Sequence, residues 1–202
     1  MARKFHRAST GASRRRYNQR MPKIYLIRHG RAAASFTDDL DPGLDELGQR
    51  QAIEATAALL PLTPLAIRSS PLKRARETAA PLAERLGQEV SIEARVSEIP
   101  SPGLSLDQRG AWLREIMQGR WHDQDPALVD WYEALVDCLK SVTEDTAIFS
   151  HFVAINAAVG AAEGNDAVTL FRPDNGSITV LETDGSTLKL LERGAEAETR
   201  VN

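Results

Sequence analysis

The sequence has very little cysteine and no long hydrophobic run. Cys138 is the only cysteine in 202 residues, which excludes an internal disulfide and a zinc site built on several cysteines. Trp131, Leu135 and Leu139 recur around Cys138 at helical spacing, so a buried core thiol is expected. No apolar stretch approaches the ~20 residues that a membrane-spanning helix needs. These absences predict a reducing, cytoplasmic setting and no membrane partner.

Acidic residues are missing from the first 20 positions, which hold seven basic ones. Removing those seven from the 25 basic residues leaves 18 against 28 acids, a net charge of −10 for 21–202. A nucleic-acid-binding protein is expected to have a basic body, so a nucleic-acid partner is not expected. The basic segment 1–20 should not order on its own and is predicted to be a flexible tail. Three interpretations of this segment stay open. It is translated only optionally or in error, because Met21 stands directly before the first strand; it is a targeting peptide; or it is a polybasic arm for nucleic acid or anionic membrane.

Signals for strands and helices alternate along the rest of the chain. Strands are predicted over Lys23–Arg28, Leu65–Arg68, Val90–Ile92, Thr146–Ser150, Ser177–Leu181 and Thr187–Leu191. Helices are predicted from an Asp45 cap to about Leu60, from a Ser70-Pro71 start, and over Asp107–Gly119, Pro126–Val142 and Phe152–Ala162. Pro81 is expected to kink the second helix or end it early. This alternation predicts an α/β fold, with a mostly parallel sheet covered by helices on both faces.

Four short segments place charged and titratable side chains at or near the ends of predicted strands. They are Arg28-His29-Gly30, Ser69–Ala75, Ser97-Glu98-Ile99 and Ser150-His151. Open α/β sheets bind their ligands at the carboxyl ends of strands. Arginine offers paired donors to phosphate oxygens, and histidine can form a covalent intermediate at neutral pH. The combination is suited to phosphoryl transfer without a metal.

The chain resembles the histidine phosphatase superfamily, which includes the cofactor-dependent phosphoglycerate mutases. The matching stretches are Leu26–Gly30, Leu44–Ala52, Ser69–Ala79 and Ser150-His151, in family order and at family-like spacing. The resemblance covers about residues 21–193, which leaves 194–202 as a C-terminal tail. It implies a three-layer αβα sandwich of the phosphoglycerate mutase type.

The resemblance also implies a role for each of five residues. His29 would be the nucleophile that takes the phosphoryl group. Arg28, Arg74 and His151 would surround the phosphorus and stabilise charge on its oxygens. Glu98 would protonate the leaving oxygen and then deprotonate the attacking water. No metal and no cofactor are implied.

Two details of this assignment depend on the surroundings of the residues. Glu93 lies close to Glu98 in the sequence and is the alternative to it. Attack by His29 requires an unprotonated ring nitrogen, and the backbone carbonyl of Gly30 is the candidate partner for the other nitrogen.

The sequence departs from the mutase pattern next to the catalytic motifs. Arg31 stands where mutases and many phosphatases carry an acid or glutamine, and Phe152 stands where glycine is usual. No asparagine occurs within 32–36, and no Trp-Glu-Gly block follows Glu98. These positions serve phosphoglycerate binding and mutase activity. The predicted activity is therefore phosphomonoester hydrolysis through a phosphohistidine, with a mutase-type phosphotransferase or a non-catalytic phosphate-binding protein as alternatives.

The expected partner is a small phosphorylated substrate. Residues 97–130 are expected to form a lid over the pocket. Arg109 and Arg114 in that segment, and Arg31 and Arg172 outside it, are candidates to bind a second anionic group on the substrate. A solvated surface position is the alternative for Arg109 and Arg114.

Overall fold

Strands and helices alternate along the chain in the computed structural model, which describes residues 20–34, 39–101 and 103–197. The strands are β1 (Lys23–Arg28), β2 (Ala66–Ser69), β3 (Ser91–Ile92), β4 (Thr146–Ser150), β5 (Ile178–Thr183) and β6 (Leu188–Glu192). The helices are α1 (Glu46–Leu59), α2 (Lys73–Leu86), α3 (Leu106–Ile116), α4 (Pro126–Lys140) and α5 (Phe152–Glu163). Apart from Arg20, the predicted basic tail lies outside the described residues.

The strands form one six-stranded sheet in the order β3-β2-β4-β1-β5-β6. β1, β2, β3 and β4 are parallel, whereas β5 runs antiparallel to β1 and β6 runs antiparallel to β5. The prediction of a mostly parallel sheet is confirmed. Because β1, β2 and β4 are adjacent and parallel, the segments that follow them meet at one edge of the sheet.

Successive side chains along the central strands enter two separate hydrophobic cores. Leu26 and Ile148 belong to the core that α4 and α5 cover, with Cys138 fully buried in it. Ile27 and Phe149 belong to the core that α1 and α2 cover. A sheet with helices on both faces is the predicted three-layer sandwich, and the prediction of a buried thiol is also confirmed.

The prediction for the start of α2 is wrong, and so is the alternative that Pro81 ends the helix early, whereas a kink at Pro81 stays a prediction. The helix begins at Lys73 with Leu72 as its N-cap, and not at Ser70-Pro71. It continues through Pro81 to Leu86 and ends at Gly87, whose φ of 62° is left-handed. A proline removes one helical hydrogen bond. Leu82 and the residue after it pack into the core directly beyond this point, and we attribute the continuity of the helix to that packing.

Two glycines let the segment after β1 touch the start of α1. A Cβ atom added to Gly30 would lie 2.4 Å from the carbonyl oxygen of Gly48, and one added to Gly48 would lie 2.1 Å from that of Arg31. The Asp45 side chain caps α1 by accepting the Gly48 N–H at 2.7 Å, as predicted. The Thr78 hydroxyl of α2 accepts the Gly30 N–H at 3.0 Å. The segment that follows β1 is therefore held by both helices of this layer.

The chain after β6 returns towards the same edge of the sheet. Glu196 forms an isolated bridge with Pro173, and the Asp174 N–H donates to the Ala195 carbonyl at 2.8 Å. Where the predicted domain ends and the C-terminal tail begins stays a prediction. Within the described ranges, no helix has both the length and the apolar character needed to cross a membrane.

Candidate active site

His29 follows β1 directly and is fixed in one orientation and one tautomer. Its backbone N–H donates to the Ser150 carbonyl at 3.0 Å, which ties it to the end of β4. Its ring Nδ1 lies 2.7 Å from the Gly30 carbonyl oxygen. A carbonyl can only accept, so Nδ1 carries the ring proton. Nε2 accepts from Nε of Arg74 at 3.2 Å and is therefore the unprotonated nitrogen that nucleophilic attack requires.

The surroundings of His29 keep its ring neutral. Burial, followed by the charges of Arg74 and Arg28, lowers its pKa from 6.5 to about 3, while the hydrogen bond to Gly30 acts in the opposite direction. A protonated ring would have no lone pair on Nε2. The low pKa therefore keeps this nitrogen available as a nucleophile at neutral pH.

Two arginines, one half-buried and one buried, supply the positive charge of the site. Arg28 ends β1, donates from Nη1 to the Pro173 carbonyl at 2.7 Å and lies 5.3 Å from the centre of the Phe152 ring. Its Nε is buried with no hydrogen-bond partner among the described residues. Arg74 lies in the first turn of α2 and is 6% exposed. Guanidinium groups stay charged in proteins, so both can bind phosphoryl oxygens.

Glu98 reaches the same site from the segment that follows β3. Its Oε1 accepts the N–H groups of Ile99 and Val153, both at 3.1 Å, and Val153 is in the first turn of α5. Burial raises the pKa of this carboxyl group, while the backbone donors and the two arginines act against the rise. A raised pKa suits a group that must donate a proton and then accept one.

Glu93, the alternative to Glu98, has a different partner. Both of its oxygens accept from Arg95, at 2.8 and 2.6 Å, and the pKa of Glu93 is lowered to about 2, mainly by this pairing. A carboxylate held in this way is a poor proton donor. The geometry therefore favours Glu98 over Glu93.

The four groups that carry this chemistry line one cavity of about 420 Å³. They are Arg28, His29, Arg74 and Glu98. The apolar part of the lining includes Leu113 of α3, Met117 just after it, and Phe152 of α5. Part of the predicted lid, 97–130, therefore does border the cavity.

His151 is next to this cavity but does not line it. It is fully buried, and its ring centre lies 5.2 Å from that of His29. Its Nε2 is 2.8 Å from Oγ of Ser70. Burial, together with His29 and the two arginines, holds the pKa of His151 well below its ordinary value. The second histidine is therefore neutral and is packed against the first.

The four arginines predicted to bind substrate have different positions. Arg31 and Arg172 line the cavity, and Arg31 also pairs with the Asp45 carboxylate. Arg109 donates from Nε to the Ser101 hydroxyl at 2.7 Å, and its charge acts on Arg74, but it is not part of the cavity lining. Arg114 is exposed on α3 and is outside the lining as well.

Sequence reasoning missed Asn175. Its Nδ2 donates to the His29 carbonyl at 2.8 Å, and the residue lines the cavity. The neighbouring Gly176 has a φ of 76°, and its N–H donates to the Arg28 carbonyl at 2.9 Å. The local sequence Pro-Asp-Asn-Gly is typical of a turn, and nothing in it marks a contact with the catalytic strand.

No group of three or more His, Cys, Asp or Glu residues within the described ranges is arranged to hold a metal ion. The histidines of the site contact arginines, a serine and a backbone carbonyl. The expectation of metal independence stays a prediction.

A sequence profile of the histidine phosphatase superfamily (branch 1) matches residues 24–195. The match runs from the second residue of β1 through β6 and includes every residue of the site described above. The chain belongs to this superfamily, as the resemblance predicted.

Curated relatives of the chain are phosphatases. It is 40% identical over 83 residues to glucosyl-3-phosphoglycerate phosphatase of Mycolicibacterium vanbaalenii, a region of 39% of this chain and 37% of the relative. It is 35% identical over 109 residues to 5''-phosphoribostamycin phosphatase of Niallia circulans, covering 49% of this chain and 48% of the relative. The chain spans less than half the length of these curated relatives in each match.

Solved structures match over most of the chain. A mycobacterial glucosyl-3-phosphoglycerate phosphatase in complex with VO3 has a TM-score of 0.67 and 26% identity, covering 87% of this chain and 100% of that one. YhfR of Bacillus stearothermophilus has a TM-score of 0.71 at 20% identity, covering 88% and 98%. The likeness to YhfR concerns the fold alone, and it supports the predicted architecture.

Proposed function

We propose that this protein is a metal-independent phosphomonoester hydrolase that acts on a small phosphorylated substrate through a phosphohistidine at His29. The observation that carries the proposal is the state of the His29 ring. Its Nδ1 proton is held by the Gly30 carbonyl, and its unprotonated Nε2 lies 3.2 Å from Nε of Arg74 at the cavity.

In the first step, phosphoryl oxygens bind between the Arg28 and Arg74 guanidinium groups. The Nε2 lone pair of His29 attacks phosphorus, and the bond from phosphorus to the leaving oxygen breaks. Glu98, protonated at the start of the reaction, gives its proton to that oxygen and becomes a carboxylate. The arginines are preorganised for the charge that develops on the transferring group, an arrangement that is usually the largest single source of rate enhancement.

In the second step, a water molecule replaces the leaving group. The Glu98 carboxylate accepts a proton from this water, whose oxygen attacks phosphorus as the nitrogen–phosphorus bond breaks. Inorganic phosphate leaves, Nε2 regains its lone pair, and Glu98 is protonated again. One difficult displacement is thus divided into two easier ones.

Arg172 and Arg31 support a substrate whose leaving group carries a second anionic group. Both line the same cavity as Arg28 and Arg74, and Leu113 and Phe152 give that cavity apolar surface. A glycerate ester has such a group, and a relative is named glucosyl-3-phosphoglycerate phosphatase. We place the activity in the cytoplasm, in keeping with a chain whose single cysteine is a buried thiol.

The proposal is tested with p-nitrophenyl phosphate. We expect His29→Ala to abolish its hydrolysis, and we expect a chelator to leave the wild-type rate unchanged. His122→Ala is the matched control, because His122 is exposed and outside the cavity. Radiolabelled phosphate should remain on the wild type after an alkaline quench, and it should not remain on His29→Ala.

Each alternative has its own outcome in the same experiment. Unchanged turnover by His29→Ala would refute the nucleophile, and loss of activity with a chelator would refute metal independence. A requirement for a doubly phosphorylated primer would identify a mutase. Phosphate binding without turnover of any phosphomonoester would identify a non-catalytic binding protein.

The second anionic group is tested at Arg172. Loss of a charged hydrogen bond costs ~1.5–3 kcal/mol, so Arg172→Leu should raise KM for carboxylate-bearing phosphomonoesters by about tenfold or more. The KM for p-nitrophenyl phosphate should hardly change. Arg114→Leu removes an exposed arginine outside the cavity and serves as the control. Equal effects on both substrates would contradict this assignment.

A further inference from the structure

Ser70 lies between β2 and α2 and contacts the second histidine of the site. Its Oγ is 2.8 Å from Nε2 of His151, and neither residue has any exposed surface. The Ser70 N–H donates to the Phe149 carbonyl at 3.0 Å, two residues before His151 on the neighbouring strand. The main chain therefore holds the hydroxyl against the ring.

The other partners of the Ser70 hydroxyl indicate the direction of this hydrogen bond. Oγ accepts the Leu72 N–H at 3.2 Å, and the Ser97 Oγ, 3.4 Å away, is the other acceptor to which the Ser70 hydroxyl can donate. A serine hydroxyl has a single proton to donate. The contact of 2.8 Å with His151 is much closer to ideal hydrogen-bond geometry than the contact of 3.4 Å with Ser97. If the Ser70 hydroxyl donates its proton along this shorter contact, Nε2 of His151 is the acceptor.

We propose that Ser70 is a positioning residue that holds the His151 ring in the tautomer with its proton on Nδ1. A neutral imidazole has one N–H, and the nitrogen that carries it is set by the partner of the other nitrogen. Nδ1 of His151 is buried and has no hydrogen-bond partner among the described residues. In this tautomer Nδ1 carries the proton, and because the ring centre lies 5.2 Å from that of His29, we expect Nδ1 to donate to a phosphoryl oxygen bound to His29.

The opposite tautomer would work against phosphate binding. With the proton on Nε2, His151 would present a lone pair to an anionic oxygen, and the two would repel each other. The ring cannot avoid this choice by becoming a cation, because burial and the neighbouring positive charges hold its pKa well below the ordinary value. This inference rests on the proposed function, since that function brings a phosphoryl group to His151.

The tautomer can be observed directly by nitrogen NMR of ring-labelled protein. The chain has four histidines, so the spectrum is small, and comparison with His151→Asn assigns the signals. With inorganic phosphate bound to the wild type, we expect His151 to show a protonated Nδ1 and an unprotonated Nε2. A proton on Nε2 in that complex would overturn the proposal.

Three variants connect the tautomer to phosphate binding and to rate. Ser70→Ala should weaken inorganic phosphate binding about tenfold. It should also lower kcat on p-nitrophenyl phosphate by ~10–100-fold. This loss is smaller than the ~10²–10³-fold loss of kcat that follows removal of a donor to a developing charge, because the His151 ring itself remains. Ser70→Thr keeps the hydroxyl and should recover most of the loss. Ser69→Ala is the matched control, because Ser69 is equally buried but its hydroxyl donates to the Ser70 carbonyl at 2.9 Å.

The possible outcomes distinguish this inference from the proposed function. Ser70→Ala with wild-type phosphate affinity and a wild-type His151 spectrum would overturn the inference. Circular dichroism checks that each variant is folded. If Ser70→Ala is not folded, the inference is tested by the nitrogen NMR spectrum of the wild type and by the activity of Ser70→Thr. A wild type that hydrolyses no phosphomonoester would refute the proposed function, while the tautomer and phosphate affinity would still be measured.

Discussion

The neutral His29 ring makes the folded protein sensitive to acid. Its pKa is about 3 in the folded state, against an ordinary value of 6.5, and burial is the main cause. As the pH falls, the unfolded chain therefore takes up this proton before the folded protein does. The stability linked to His29 is complete above pH 6.5 and is lost as the pH falls towards 3.

The size of this effect follows from the shift. One pKa unit corresponds to about 1.36 kcal/mol, so at pH 5, about 1.5 units below the unfolded value, His29 alone costs about 2 kcal/mol. This is a substantial part of the ~5–15 kcal/mol that separates folded from unfolded proteins. His151 is shifted in the same direction, again mainly by burial, and adds to the loss.

Urea unfolding at pH 8 and pH 5, followed by circular dichroism, measures this loss. Between the two pH values, we expect His29→Asn to lose about 2 kcal/mol less than the wild type does. Val153→Ala is the control, since this buried residue next to the site does not titrate and should keep the wild-type pH dependence. An identical loss in His29→Asn and the wild type would refute the reasoning.

Two further predictions concern the scaffold. Gly48→Ala would place a Cβ 2.1 Å from the Arg31 carbonyl oxygen, so it should lower both stability and activity. The loss of stability should exceed the ~1 kcal/mol expected for the control Ala57→Gly at an exposed position of α1. A Gly48→Ala variant as stable as the wild type would contradict the close approach. Asn156→Leu would leave two backbone N–H groups after α5 without their acceptor, at about 1–3 kcal/mol for each buried donor, and urea unfolding that matches the wild type would contradict this.

The central strands could be predicted accurately because their sequences are dense in apolar residues and are buried on both faces. The predicted bounds of β1, Lys23–Arg28, and of β4, Thr146–Ser150, agree with the structure. The start of α2 could not be predicted in the same way. Ser70 has the sequence context of a helix cap, but its hydroxyl contacts His151, 81 residues further along the chain. A local pattern contains no information about such a partner.

The site was predictable where its residues lie within motifs and was not where they lie in turns or on exposed helices. Arg28 and His29 follow from their position at the end of β1, and Arg74 follows from the resemblance of Ser69–Ala79 to the superfamily motif. Asn175 lies in a segment typical of a turn, and its contact with His29 depends on how β5 pairs with β1. Helical periodicity also could not show that Arg114 is outside the cavity. The apolar face of α3, with Trp112 and Ile116, packs against a core, but this pattern does not say which polar side chains beside it reach the cavity.

The cavity residues on and next to α3 are less buried than His29 and His151. None of the residues of α3 is buried, whereas eight residues of α5 are. Leu113 and Met117 are only partly buried where they pack against one of the cores, so replacing them disturbs less packing than moving His29 or His151, which are buried at the sheet edge. Substitutions at these two positions can therefore reshape the cavity wall while Arg28, His29 and Arg74 keep their places, and directed evolution towards new substrates should begin there.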